Sequence, residues 1–332
     1  MICRRMHLYP SALKEKIMAD YAFGIDIGGT TVKIGLFRTE GTLLKSWEIP
    51  TRKDLGGSLI LQDIAEAIEH ECRSRHLKRS DIEGIGLGVP GPVLDGHIVN
   101  KCVNLGWGIL DVSEELGKLT GISRIKAGND ANVAALGEIW QGGGKGHRNM
   151  VMVTLGTGVG GGVIIDGKIV PGAFGAGGEI GHFRVNKKET SSCGCGKKGH
   201  LEQYASAAGI VRRAQELLSE SSRSSSIREL PYLSAKAVFD AAKKGDELSL
   251  EIVDFVGEML GTAMSYISCV IDPEIYVIGG GVSKAGKILL DTISEHFREY
   301  AFHASENTKF EQAVLGNDAG MYGAVKLVLQ GD

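Results

Sequence analysis

Proline, net charge and long apolar runs are all scarce in this sequence of 332 residues. It contains only seven prolines, and a collagen-like chain needs abundant proline with glycine at every third position, so that class is excluded. A formal net charge of −3 gives no overall attraction to nucleic acid or to an anionic membrane. No apolar run approaches the roughly 18 residues of a membrane-spanning helix. We therefore expect neither nucleic acid nor membrane as a partner.

The N-terminal region also lacks the apolar core of a signal peptide, because charged residues at 14–16 interrupt it. We interpret 1–20 as an N-terminal extension and expect a cytoplasmic protein. Six cysteines are present, and four of them are scattered among apolar or helical residues as ordinary thiols. Cys193 and Cys195 instead share a loop rich in glycine and lysine. Their spacing indicates a metal site, and a disulfide framework is not expected.

Glycine is abundant: 48 residues, about twice the average usage. The chain is 43% hydrophobic and 23% charged, which provides enough apolar surface to fold. The glycines must therefore occupy turns, or positions where the backbone closely approaches a ligand. The length indicates two domains.

Two segments of the chain repeat the same pattern, and Gly156 can be placed on Gly28. The first predicts strands at 21–27 and 32–37 around Gly28-Gly29, and the second predicts strands at 150–155 and 163–165 around a glycine loop at 156–162. A helical pattern at about 57–76 and a buried strand at 82–89 complete a mixed α/β unit. The chain thus predicts two copies of one α/β unit facing each other across a cleft. Chance similarity between two glycine-rich hairpins is the alternative.

The motif Gly156-x-Gly158-x-x-Gly161 formally matches a dinucleotide-binding fingerprint. That fingerprint requires a following helix, whereas the residues after it predict a β-hairpin that turns at Asp166-Gly167. No P-loop element is present either. We therefore expect neither a Rossmann nor a P-loop nucleotide site.

The two glycine hairpins instead predict phosphate binding. Tight turns with a neighbouring hydroxyl let backbone N–H groups approach phosphate oxygens, and Asp26 at the end of its strand could hold Mg²⁺ through water. Two plain hairpins, with Asp26 satisfying a turn, are the alternative. The matching positions of the hairpins favour phosphate binding.

Asp130 precedes a helical run at 133–140, where an N-cap is the usual role of aspartate. The functional alternative makes Asp130 the base that accepts a proton from a substrate hydroxyl, with Asn129 binding the same substrate.

Four metal-binding side chains lie within 19 positions: His182, Cys193, Cys195 and His200. They suit a closed tetrahedral Zn²⁺ site, although a lone histidine or an unliganded C-x-C pair is the simpler alternative. Such a site would be structural, pinning the loop and orienting the carboxylates of Glu179 and Glu202.

Together these residues resemble the ROK family of sugar kinases and related repressors, and its bacterial glucokinase-like members in particular. The resemblance covers roughly 21–330 and rests on these motifs: 26–31, 129–130, 155–162, 179–182, 193–202 and 278–283. It implies the actin-like ATPase, or ribonuclease-H-like, fold. The implied domains are 21–127 with about 311–332, and 128–310 with the zinc loop and dimerisation helices.

The resemblance also implies a role for each motif. The ATP phosphates with Mg²⁺ would contact Asp26, Gly28, Gly29, Thr30, Thr31, Lys33, Gly156, Thr157 and Gly158, while Gly280 and Gly281 would lie by the adenosine. Asp130 would be the catalytic base. The sugar hydroxyls would be bound by Asn104, Asn129, Asp130, Glu179, His182 and Glu202. His182 would then serve both the sugar and zinc. The family commonly has a third cysteine where this chain has His200, which leaves imidazole as the fourth ligand.

The implied activity is ATP-dependent phosphorylation of a hexose, with glucose to glucose 6-phosphate favoured, in a homodimer or homotetramer. Fructose, mannose, allose or N-acetylmannosamine are alternative substrates. A sugar-responsive repressor would need a DNA-binding unit ahead of Tyr21, where only 20 residues stand. A sugar-binding protein without catalysis is the remaining alternative, and Asp26, Asp130 and both hairpins argue against it.

Overall fold

A computed structural model describes residues 19–331. The predicted extension at 1–20 falls outside the described residues except for its last two positions, and so does Cys3. The first half contains these elements: β1 (Tyr21–Ile27), β2 (Thr31–Arg38), β3 (Leu43–Pro50), α1 (Asp54–Gly57), α2 (Ile60–Ser74), β4 (Ile82–Val89), β5 (Val93–Leu94), β6 (Ile98–Cys102), β7 (Trp107–Asp111), α3 (Val112–Thr120) and β8 (Ile125–Asn129).

The second half begins with a helix and ends with one. It contains these elements: α4 (Asp130–Gln141), β9 (Met150–Leu155), β10 (Val159–Ile165), β11 (Lys168–Ile169), α5 (Glu202–Ala205), α6 (Ala207–Glu220), α7 (Ala235–Ala242), α8 (Glu247–Ile271), β12 (Ile275–Gly279), α9 (Lys287–Tyr300), β13 (Lys309–Gln312) and α10 (Ala319–Leu329). Short polar side chains start several of these helices by accepting backbone N–H bonds, as Ser206, Ser234 and Asp246 do for α6, α7 and α8.

Two five-stranded sheets share one topology, which confirms the predicted duplication. The first has the order β3-β2-β1-β4-β8 and the second β11-β10-β9-β12-β13. In each sheet the three strands of the meander pair antiparallel, and the two following strands pair parallel. A small sheet, β5-β6-β7, is inserted in the first half. Identical order and direction in five strands exclude chance similarity between two hairpins.

The predicted alignment of the two halves also holds residue by residue. Asp26 pairs with Gly88 on the neighbouring parallel strand, and Thr154 pairs with Gly279 in the same way. One boundary was wrong: the predicted loop at 156–162 is a turn of only three residues, and β10 begins at Val159. The three glycines at 160–162 have low strand propensity, so the sequence pattern predicts a loop there. In the structure these residues pair with β9.

The final helix, α10, packs against α4 and against β1 and β4 of the first sheet. Glycine makes this close approach possible, because a Cβ at Gly24 or Gly86 would overlap the backbone of α10. A Cβ at Gly137 or Gly323 would likewise overlap the backbone across the α4–α10 crossing. These glycines serve helix packing, so the glycine excess is not explained by ligand approach alone.

Each sheet has its own apolar core. The first core packs α2 and α3 on the first sheet, and the second packs α6 to α9 on the other. Within 19–331 no helix combines the length and apolarity needed to cross a membrane.

Candidate active site

All six residues predicted to bind sugar line one cleft of about 1070 Å³: Asn104, Asn129, Asp130, Glu179, His182 and Glu202. The second hairpin turn, Gly156–Gly158, lines the same cleft, and so does Gly280. Residues of both halves therefore meet here, as the sequence predicted.

A smaller cavity of about 380 Å³ adjoins this cleft and contains the first hairpin. Four predicted phosphate-binding residues line it: Asp26, Gly28, Thr31 and Lys33. Asp130 and Thr154 line both cavities, so Asp130 stands where the two spaces meet. Three other predicted nucleotide residues line neither: Gly29, Thr30 and Gly281.

Asp130 is the first residue of α4, directly after the end of β8. The N-cap role considered for Asp130 belongs to Asn129, whose Oδ1 accepts from the N–H groups of Ala131 (3.1 Å) and Asn132 (3.3 Å). Both residue types are good caps, so sequence alone could not separate them. Asp130 Oδ1 accepts a 2.8 Å bond from Ala131 N–H, and the residue lines both cavities. Asn129 Nδ2 donates to the Gly91 carbonyl at 3.4 Å, which uses one of its two amide hydrogens.

Burial raises the pKa of the Asp130 carboxyl, and the negative charge of Glu179 adds to this, while the bond from Ala131 N–H opposes it. Burial and the charge of Asp130 raise the pKa of Asp26 to about 6, although Lys33 lowers it. The raised pKa values of Asp26 and Asp130 show that neither negative charge is well compensated where the two cavities meet. A divalent cation bound beside Asp26 would supply compensating positive charge.

The first hairpin is held by contacts that sequence did not indicate. Gly28 N–H donates to the Thr31 carbonyl (2.9 Å), and Thr51 Oγ1 donates to the Gly28 carbonyl (2.7 Å). Lys33 Nζ lies 3.4 Å from Asp318 Oδ1 and 3.6 Å from Glu48 Oε1. The ammonium group is therefore held at the cavity wall by Glu48 on the neighbouring strand β3 and by Asp318 near the start of α10.

The four predicted metal ligands converge: His182, Cys193, Cys195 and His200 offer ligand atoms that all lie within 4.8 Å of one another. The Nδ1 atoms of the two histidines are 3.2 Å apart, Cys195 Sγ lies 3.3 Å from His200 Nδ1, and Cys193 Sγ lies 3.9 Å from His182 Nδ1. Ligand atoms around tetrahedral zinc should stand roughly 3.3–3.8 Å apart. Burial lowers the pKa of His200, as does the neighbouring His182, which favours the neutral, metal-binding ring. The donor set therefore fits Zn²⁺.

Other contacts also shape this loop. Gln203 Oε1 accepts from the N–H groups of Gly199 (2.8 Å) and His200 (3.0 Å). Glu189 is bound by Arg212 and by the Tyr204 hydroxyl, and these bonds lower its pKa to about 2. The loop is thus anchored to α5 and α6 independently of any metal.

Glu202 links the cysteine loop to the second hairpin. Its Oε1 accepts from Cys193 Sγ (3.4 Å), and its Oε2 accepts from Val159 N–H (3.2 Å). His182 presents its Nε2 at 3.9 Å from Glu179 Oε2, on the side of the ring away from the cluster. The arrangement lets one imidazole face both the metal ligands and the cleft.

Sequence reasoning missed several residues of the site. Thr154 occupies the position in the second half that Asp26 occupies in the first. Phe174 lines the cleft and is 86% exposed. Glu138 lines neither cavity but supports the structure behind them: it is fully buried, and its carboxylate accepts from the N–H groups of Gly143, Val314 and Leu315. The alignment of Gly156 with Gly28 already places Thr154 on Asp26, but the sequence analysis assigned Thr154 no role. Nothing local singled out Phe174 or Glu138.

The ROK family pattern matches residues 22–331. The chain belongs to the ROK family. It is 44% identical over 312 residues to a glucokinase of Halalkalibacterium halodurans, covering 92% of this chain and 94% of that protein. It is also similar to a solved ROK hexokinase of Thermus thermophilus, with 30% identity, a TM-score of 0.76 and coverage of 92% and 97%.

A ROK family glucokinase of Streptomyces griseus, solved with glucose and AMPPNP, superimposes with a TM-score of 0.70 at 30% identity. The likeness covers 94% of this chain and all of that one. These relatives confirm the actin-like fold expected from the sequence and place this ROK protein among the sugar kinases of its family.

Proposed function

We propose that this protein is an ATP-dependent glucokinase that transfers the γ-phosphoryl group of ATP to the 6-hydroxyl of glucose. The observation that carries this proposal is the position of Asp130. It lines both the cleft that contains the predicted sugar-binding side chains and the cavity that contains the first hairpin. Glucokinase relatives at 44% and 36% identity over more than nine-tenths of this chain support the choice of reaction.

Phosphoryl transfer depends chiefly on positioning and on neutralising charge. Asp130 accepts the proton of the attacking hydroxyl, and its raised pKa brings its basicity closer to that needed near neutral pH. The backbone N–H groups of the two hairpin turns, together with Lys33, hold the phosphate oxygens of ATP. Mg²⁺, when bound with ATP, contributes positive charge beside Asp26.

The sugar is oriented by the side chains around Asp130. Carboxylates of Glu179 and Glu202 accept from hydroxyls, while Asn104 and Asn129 offer amide groups. We assign a structural Zn²⁺ to His182, Cys193, Cys195 and His200, where it supplies rigidity and takes no part in proton or phosphoryl transfer. Because Glu202 follows the ligand His200 by two residues and its Oε1 lies 3.4 Å from Cys193 Sγ, this rigidity extends to the sugar site.

We propose two domains, one built on each sheet, that close on the substrates and exclude water. The expected boundaries at 127/128 and about 310/311 fall inside β8 and β13, so we place them after 129 and after 312. A homodimer or homotetramer fits the exposed apolar residues of α8, where Tyr266 is 59% and Val270 84% exposed. A cytoplasmic location accords with substrates that are cellular metabolites.

A substrate panel tests the proposal. Purified protein with Mg-ATP should release ADP with glucose at a higher kcat/KM than with fructose, mannose, allose or N-acetylmannosamine. A matched Asp130→Asn sample controls for contaminating kinases. Preference for another sugar would reassign the substrate, whereas sugar binding without ADP release would make the protein a regulator.

A further inference from the structure

A separate pocket of about 440 Å³ lies on the other face of the first turn of α4. Asp130 lines the catalytic cleft but not this pocket, whereas Asn132 lines this pocket but not the cleft. Side chains two positions apart on a helix point in nearly opposite directions. We call it the rear pocket. Its walls are 93–96, 126–129, 132, 168–169, 171–173 and 175, together with the end of α10 and the residues after it.

The rear pocket has the size of a small-molecule site and is made by both halves of the chain. Asn129 and Gly175 line it as well as the catalytic cleft, so one wall is shared between the two spaces. A ligand there would contact β8 and the 93–96 turn on one side and β11 with the following loop on the other.

Asn132 provides an unsatisfied hydrogen-bond acceptor at this wall. The residue is only 4% exposed, its Nδ2 donates to the Gly177 carbonyl at 3.4 Å, and its Oδ1 has no partner. A buried acceptor left without a donor costs free energy comparable to a lost hydrogen bond. A ligand with hydroxyl or N–H groups would remove that cost.

Charged side chains that line the rear pocket indicate which chemical groups a ligand should carry. Lys168 is exposed and has no ion-pair partner within 19–331, and Lys126 Nζ donates to the Gln330 carbonyl at 3.1 Å. Asp95 adds a carboxylate that can accept from hydroxyls. A phosphate group suits the Lys168 ammonium group, while several hydroxyls suit Asn132 and Asp95. Inorganic phosphate lacks the several spaced hydroxyls of a sugar, and a neutral sugar lacks the charge.

We infer that the rear pocket is a regulatory site for a phosphorylated sugar, the product class of the proposed reaction. The inference rests on the proposed function for the identity of that ligand. Contact with Asn132 acts on the turn that begins with Asp130, and contacts to both halves hold them at their present separation. The bound sugar phosphate therefore inhibits without competing for the glucose subsite.

Inhibition kinetics with glucose 6-phosphate test this inference. At saturating ATP, the wild-type protein should show a non-competitive component against glucose. In Lys168→Glu that component should weaken at least tenfold, with kcat and KM unchanged when no product is added. Lys244→Glu, at an exposed lysine that lines neither space, should behave like wild type. Purely competitive inhibition that Lys168→Glu does not alter would overturn the inference.

Direct calorimetric titration separates this inference from the proposed function. Glucose 6-phosphate should bind wild type with a component that Lys168→Glu removes, even if the protein turned over no glucose. Inorganic phosphate and glucose, titrated alone, should each fail to reproduce that component. If inorganic phosphate reproduces it fully, the pocket is a simple anion site and the assignment to sugar phosphates is wrong.

Discussion

Replacing Gly158 with alanine should impair the use of glucose far more than it impairs folding. Gly158 does not have a positive φ, so alanine fits its backbone. A Cβ there would overlap Glu202 Oε2 and lie 3.3 Å from Glu202 Cδ. Because the clash is with the flexible end of a side chain, the protein can relieve it by moving that carboxylate at little cost in stability.

The size of the effect follows from that movement. Restoring an ordinary separation of about 3.5 Å requires a shift of roughly 1 Å in the carboxylate. The shift weakens the bond from Val159 N–H to Glu202 and moves the carboxylate relative to Cys193. Misplacement by about 1 Å can cost about 10²-fold in rate. We expect kcat/KM for glucose to fall about 10- to 100-fold, or roughly 1.4–2.7 kcal/mol.

Steady-state kinetics with each substrate varied in turn would measure this, with thermal unfolding as the folding check. The KM for ATP should change less, and Tm should stay close to wild type. Gly108→Ala is the matched control, since a Cβ there meets no atom within 4 Å. If kcat/KM for glucose stays within about twofold of wild type, Glu202 does not hold the sugar through this contact. A large fall in Tm would instead assign Gly158 to folding.

Three further predictions address the carboxylates and the metal. Asp130→Asn should lower kcat at least about 10²-fold without lowering Tm. In wild type, kcat should fall as pH drops through the raised pKa of Asp130, and a flat pH–rate profile would exclude this base. Asp26→Asn should stabilise the nucleotide-free protein at pH 8, because ionised Asp26 is destabilising above its pKa of about 6. The free energy of unfolding should rise by up to about 3 kcal/mol, with a higher Tm. This gain should vanish near pH 4, and equal Tm values for variant and wild type at pH 8 would refute the prediction. Metal analysis should find about one zinc per chain, and less in Cys195→Ser. Removal of the zinc by chelation should raise the KM for glucose. If the metal-free protein were fully active, the proposed structural role of zinc would be wrong.

Much of the fold could be predicted because its signals are local. Apolar strands ending in glycine turns marked both β-hairpins, and their spacing revealed the duplication. The start of β10 at Val159 could not be predicted in this way. Glycines at 160–162 have low strand propensity, but a Cβ at Gly162 would collide with Ala135 of α4. Packing between the strand and that helix overrides the local preference.

In the candidate site, too, some features have local sequence signals and others depend on tertiary packing. The candidate metal ligands could be picked out by residue type and spacing, and the candidate sugar-binding set was implied by the family resemblance. The partners that position them could not be identified in this way, since Lys33 and Asp318 are 285 residues apart in the chain. Glu138 reads as an ordinary helical glutamate, yet its buried carboxylate holds the segment that leads to α10. Such roles arise only from the tertiary structure.

The position of α10 has a consequence for the order in which the protein forms during synthesis. The helix packs on β1 and β4, yet it follows the end of β8 by about 190 residues. At roughly 5–20 residues per second, the ribosome needs about 10–40 s to make that interval. During this time the glycine-lined surface of the first sheet lacks its own helix. The first half is therefore exposed to mispairing and to chaperones while the second half is still emerging.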